Sequence, residues 1–158
     1  MPTNVKPTEE LNDSRAVVKR VWEDVVNGGD LDAIDELVAE DYMDRGPGGY
    51  ECTGPDGFRR FIVALHEIFE GLTVTVHEYI LEDDRVLSRW TGRATSRENG
   101  RDVEWHGATV THITDGKMIE DWEYWDRLEL AEQMTDGWLD RWIVDTVSRR
   151  ATKDLPDE

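Results

Sequence analysis

Carboxylates set among large aromatic side chains are candidates for proton transfer, and residues 115–126, DGKMIEDWEYWD, hold five carboxylates and three aromatics. A buried acid loses the hydration of its charged form, so its pKa climbs toward neutrality and it can both take and release a proton. Asp115-Gly116 is a two-residue hairpin signal, since a type I′ turn needs positive φ at both positions. A strand leaving that turn places Met118, Glu120, Trp122, Tyr124 and Asp126 on one face. Ile119, Asp121, Glu123 and Trp125 fall on the other. The first face, two acids among bulky groups, is either a pocket wall or half of an interface.

The remaining elements must frame that strand. Val18, Val21, Trp22 and Val25 recur at helical spacing behind a cap at Asn12 to Ser14, and Gly28-Gly29 end the helix. Asp30 caps a second helix with a stripe of Leu31, Ile34, Leu37 and Val38. DYMDRGPGGYECTGPDG then reads as a short strand and an irregular loop, and Pro55 opens a third helix striped by Phe58, Phe61, Ile62, Leu65 and Phe69. From Leu72 the period becomes two: residues 72–81, 85–95, 102–113 and 117–126 alternate as four strands of an antiparallel meander, with turns at Glu82-Asp83-Asp84, Asn99-Gly100 and Asp115-Gly116. A helix follows from Leu128. The expected division is a tail over residues 1–12, one domain over 13–135, an amphipathic helix over 136–150 and an acidic tail over 151–158. The fold class is α+β: a curved antiparallel sheet with helices over one face and a C-terminal helix.

The 158 residues suffice for one domain with a single core. Thirty-six acids against 18 bases give a net charge of −18, which repels a phosphate backbone or an anionic membrane, so neither nucleic acid nor membrane is an expected partner. Only Lys6, Lys19, Lys117 and Lys153 are lysines, and the acids are spread along the whole chain. Such a surface suits concentrated salt, where screening removes self-repulsion, and a halophilic source is expected. Cys52 stands alone, so no intrachain disulfide forms, and its loop carries little to activate a thiolate. No apolar run approaches a bilayer's thickness and the start is polar; a cytoplasmic protein is expected.

Four stretches carry a resemblance: VVKRVWEDVVNGGDLDAIDELVAEDYMDRGP, GPDGFRRFI, DRVLSRWTGRAT and TDGKMIEDWEYWDRLELAEQM. Together they resemble the SnoaL-like polyketide cyclase family of the nuclear transport factor 2-like superfamily, over about residues 13–135. The family's ending is matched at Asp115, Gly116, Lys117, Glu120, Trp122 and Asp126, with Met118 where Ile is usual. The resemblance implies a cone-shaped α+β fold and an intramolecular aldol ring closure needing neither metal nor organic cofactor. A pocket Asp is the family's general acid/base, and Asp126 is the position it implies here.

Physically, Asp126 among Trp90, Trp105 and Trp122 is desolvated enough to exchange protons near neutral pH. It is equally placed to cap the helix starting at Arg127 or Leu128. Glu120 shares the Trp122 face and, if the hairpin pairs 114 with 117, lies opposite Thr111; a buried acid there needs a partner, which Arg89 or Arg45 could supply. Trp90, Trp105 and Trp122 are pocket or core walls. Asp44 and Arg45 stand where the family often shows a pocket His, and Arg45 could anchor a carbonyl or anionic oxygen or lie on the surface. The family's second pocket His is also replaced, by the stretch GRATSREN.

His106 and His112 share a strand face but lie ~20 Å apart along it, too far for one metal ion. His66 and His77 have no ligand spacing near them, and no phosphate loop or Ser-His-Asp signature occurs. The function expected is proton transfer on a hydrophobic, carbonyl-bearing small molecule without a cofactor. A non-catalytic ligand-binding or scaffold domain is the alternative; an epoxide hydrolase, using Asp44, Arg89 and Asp126 to activate water, is the third. Val110, Ile119 and Trp125 on the outward face predict a homodimer.

Overall fold

A computed structural model describes residues 8–135; the expected helix over 136–150 and the tail over 151–158 lie outside the described residues. Helix α1 (Thr8–Arg20) starts ahead of the cap expected at Asn12 to Ser14. It runs directly into a π-helical stretch, Val21–Asn27, whose wider turn lets Val21, Trp22, Val25 and Val26 all reach the core. Asn27 closes the stretch against the sheet: its side-chain amide donates to the Val74 carbonyl at 2.9 Å and its oxygen accepts from the Val74 amide at 2.6 Å. The second helix, α2, is one turn long (Ile34–Leu37), because the chain turns into strand β1 (Val38–Gly46) where the helical stripe was expected to continue.

Strand β2 (Tyr50–Thr53) pairs back on β1 and leads into α3 (Gly54–Ile68), which has Pro55 in its first turn and buries Phe58 and Ile62. The meander follows as β3 (Phe69–Glu82), β4 (Arg85–Ser96), β5 (Asp102–Thr114) and β6 (Lys117–Trp125), and α4 (Arg127–Met134) ends the described chain. The expected turns are present, with positive φ at Asp83, Asp115, Gly116 and Gly100.

The strands form one six-stranded sheet in the order β2-β1-β6-β5-β4-β3. It is mixed rather than purely antiparallel, because β1 returns beside β6 in parallel register. The helices pack on its concave face over a core that includes Val25, Ile34, Tyr42, Ile62, Trp90, Trp105 and Met118. Two of these tryptophans lie flat across neighbouring strands. Trp90 stands opposite Gly107 and Trp105 opposite Gly92, and a Cβ on either glycine would meet the facing indole at 2.4 or 2.6 Å. The absent side chains are what let both rings lie against the backbone.

One irregularity decides which acids enter the core. The hairpin pairs Thr114 with Lys117 and Ile113 with Met118, but then His112 with Glu120 and Thr111 with Asp121. Ile119 is the extra residue of a β-bulge, and it inverts the facing of everything after it. Asp121, Glu123 and Trp125 therefore turn inward while Glu120, Trp122 and Tyr124 turn outward, the reverse of strict alternation from Met118.

Candidate active site

Between the helices and the concave face lies a cavity of about 290 Å³. Trp22, Phe58 and Phe61 wall it from the helix side and Trp90, Trp105 and Trp125 from the sheet side. Ile68 also lines it and is 46% exposed at the end of α3, marking the mouth. Trp22 and Trp90 meet at 5.7 Å between ring centres, and the Trp90 indole N–H donates to the Thr109 hydroxyl at 3.0 Å. Among the described residues the lining contains no Arg, Lys or His; its polar members are Thr109, Thr111, Asp121 and Glu123.

Asp121 retains only 6% of its surface. The Tyr42 hydroxyl donates to its Oδ2 at 2.8 Å, while Oδ1 is buried with no hydrogen-bond partner. Burial pushes its pKa up to about 7, against the pull of the Thr111 and Tyr42 hydroxyls, and the negative charges of Glu123 and Glu120 add to the rise. Glu123 accepts from the Trp125 indole at 3.3 Å and is also raised by burial to about 7. Behind them Asp44, 1% exposed, is the parallel-strand neighbour of Asp121. Burial, then Glu123 and Asp121, raise it to about 9. A long contact of 3.9 Å from the Cys52 thiol to its Oδ2 and the Arg45 backbone amide pull the other way. Burial raises the Cys52 thiol itself to about 11, so it is not poised as a thiolate.

The residues singled out in the sequence are dispersed by this geometry. Trp90 and Trp105 line the cavity. Asp44 is buried next to the cavity acids rather than on the lining itself. Glu120, Trp122 and Arg45 share the outer face, where Glu120 accepts from both Arg45 and the Trp122 indole and the guanidinium sits 4.9 Å over the Trp122 ring. Arg89 is also outside, paired with Glu78. Asp126 is exposed and caps α4, its Oδ1 accepting from the amides of Leu128 at 2.8 Å and Glu129 at 3.1 Å. The assignment of Asp126 as the pocket acid gives way to its capping alternative, and the Asp44, Arg89 and Asp126 set for water activation is not assembled. Of the histidines, His106 contacts the Thr91 hydroxyl, His112 pairs with Asp84 and His66 meets the Val26 carbonyl. No three metal-ligating side chains gather among the described residues.

The acids that do meet, Asp121 and Glu123, lie in the same twelve-residue stretch but on its other face. No Gly or Pro at 118–120 announces the bulge, and the bulged position accepts an ordinary residue such as Ile119.

Residues 16–134, which build this helix-covered sheet and line its cavity, match one family in sequence. The chain belongs to the SnoaL-like polyketide cyclase family. Solved structures agree on the fold. A protein from Jannaschia sp. CCS1, described as a SnoaL-like polyketide cyclase, superposes with a TM-score of 0.75 at 18% identity, covering 81% of this chain and 95% of that one. One from Acidithiobacillus ferrooxidans, described as a polyketide cyclase, gives 0.70 at 22% identity over 77% and 93%. An LEH-like epoxide hydrolase from M. tuberculosis gives 0.69 at 17% identity over 86% and 98%. No curated protein gives a significant match. Within the described residues no helix is long and apolar enough to cross a membrane.

Proposed function

We propose that this SnoaL-like protein moves a proton on a hydrophobic, carbonyl-bearing small molecule without a cofactor, as a cyclase or isomerase does, with Asp121 as the base and Glu123 as its acid. The observation that carries this reading is the state of Asp121: a buried carboxyl of the apolar cavity's wall, with one oxygen held by Tyr42 and Glu123 beside it on the same strand face. Burial raises both carboxyls to about 7, so each can exchange a proton near neutrality. That is the state proton transfer needs. The C–H bond next to the substrate carbonyl breaks and its proton passes to the Asp121 carboxylate. The electron pair moves onto the carbonyl oxygen, which takes the proton of Glu123, leaving an enol. The enol O–H then returns its proton to Glu123 while the enol carbon either attacks a second carbonyl, whose oxygen takes the proton from Asp121 as the ring closes, or takes that proton itself at another position.

The test is deuterium wash-in from D2O into the enolisable position of 2-tetralone, followed by proton NMR. Wild-type protein is expected to accelerate exchange, and Asp121→Asn to reduce that acceleration roughly 10²-fold or more. Exchange no faster than the buffer background sinks the reading and leaves a ligand-binding domain, which the almost wholly apolar lining favours. Two further parts of the proposal are a cytoplasmic, salt-adapted setting and a homodimer. The dimer face is the outer row Ile80, Leu87, Val110 and Trp122, cross-strand neighbours with Ile80 57% and Trp122 43% exposed. Val110 stays on this face as expected, whereas Trp125 lines the cavity.

A further inference from the structure

The cavity's electrostatics are one-sided. Asp121 and Glu123 on β6 belong to its lining and Asp44 on β1 adjoins them, while no cationic side chain among the described residues lines it. The nearest guanidinium in sequence, Arg45, is turned to the opposite face and engaged by Glu120, Glu51 and the Trp122 ring. The other titratable groups around the acids are Tyr42 on β1 and Tyr50 and Cys52 on β2, none of them a cation. Tyr42 supplies a hydrogen bond to Asp121 and the Trp125 indole supplies one to Glu123. Neither Asp121 Oδ1 nor Asp44 Oδ1 has a donor, although both residues are more than nine-tenths buried. An unpaired buried carboxylate oxygen is costly and calls for a donor or a positive charge.

The walls supply the other half of the recognition. Trp22, Trp90, Trp105 and Trp125, with Phe58 and Phe61, surround the space that Asp121 and Glu123 line. Aromatic faces attract a cation through their quadrupoles, and the attraction strengthens once water is excluded. A carboxylate ligand meets the opposite field.

We infer that the cavity selects a small apolar molecule bearing a protonated amine, whose ammonium group pairs with the Asp121 carboxylate in the cavity wall while its hydrocarbon part lies against the tryptophan walls. This rests on the reading of the cavity as the substrate site and narrows the substrate class within it. Ammonium binding favours the ionised form of Asp121, the form that acts as base, so it displaces the proton of that carboxyl and leaves Glu123 its own. Affinity therefore rises with pH as Asp121 passes through its transition near 7.

The test is titration calorimetry with benzylammonium, benzyl alcohol and phenylacetate, three probes of similar shape and different charge. Benzylammonium stays charged throughout the range used. It is expected to bind roughly tenfold or more tighter than benzyl alcohol at about pH 8, with the advantage shrinking to within about threefold at about pH 5.5. Phenylacetate is expected to bind weakest at the higher pH. Asp121→Asn with Glu123→Gln should erase the preference while keeping benzyl alcohol affinity, which also reports that the cavity is intact. Benzyl alcohol binding as tightly as benzylammonium at about pH 8, or an ammonium affinity indifferent to pH, overturns the inference. Deuterium exchange on 2-tetralone is scored separately. Exchange without amine preference refutes only the amine, and amine preference without exchange refutes only the proton transfer.

Discussion

Tyr42 donates its phenolic hydrogen to Asp121 Oδ2 at 2.8 Å across the parallel β1–β6 contact, and this bond, with the Thr111 hydroxyl, lowers a proton affinity that burial raises. A donor to the ionised form stabilises that form, so the bond holds the Asp121 pKa below what burial alone would produce. Tyr42→Phe keeps the ring and removes the bond. Exchange activity in the variant should need a higher pH to develop. Stability should fall by about 1.5–3 kcal/mol where Asp121 is ionised, and by less where it is protonated. An unshifted activity profile in Tyr42→Phe contradicts this coupling.

Asp44 should make the protein less stable as pH rises. Its folded pKa, about 9, lies above its ordinary value of 3.8. Below about pH 4 both folded and unfolded chains carry the proton and no penalty exists; between about 4 and 9 the unfolded chain ionises first and stability is lost. Asp44→Asn removes this loss. Denaturant titrations should show the variant gaining about 2 kcal/mol or more, relative to wild type, between pH 5 and pH 8. A gain equal at both pH values would show that Asp44 is not held protonated by burial.

Asp126 is a cap, and its substitutions should behave accordingly. Asp126→Ala removes the acceptor for the Leu128 and Glu129 amides and should cost about 1 kcal/mol, whereas Asp126→Asn should cost only a few tenths. Neither should slow deuterium exchange more than about twofold, since the residue is exposed and lies off the cavity lining. A large loss of activity in Asp126→Asn at unchanged stability would restore it as the acid/base.

The row Ile80, Leu87, Val110 and Trp122 should close a dimer, because adjacent strands place these side chains side by side on a face that no described element covers. Light scattering should give a dimer mass for the wild type and a monomer mass for Val110→Glu, which sets a like charge against its counterpart. A monomeric wild type at every concentration removes this interface.

Dispersed acidity should make stability rise with salt. With a net charge of −18, molar potassium chloride should raise the melting temperature by screening repulsion between exposed carboxylates. No change between dilute and molar salt would leave the composition without an adaptive reading.

The frame of the fold is legible in local sequence. Helical spacing at Val18 to Val25 and Phe58 to Leu65, period-two alternation from Leu72 and turns at Asp115-Gly116 and Asn99-Gly100 follow from local backbone preference and from apolar periodicity, which neighbouring residues carry in full. The motifs of the family ending also located the acidic strand that the cavity uses. Which acids on that strand face inward depends on how it pairs with its neighbours. Strand parity is a relation between two chains of hydrogen bonds, so a single extra residue at Ile119 inverts it without changing the composition of the segment. The parallel pairing of β1 with β6 then sets Tyr42 and Asp44, some 80 residues earlier in the chain, against Asp121. Burial there moves the carboxyl pKa values because desolvation depends on what surrounds a group in space, and Asp126, five residues further on, stays exposed as a helix cap.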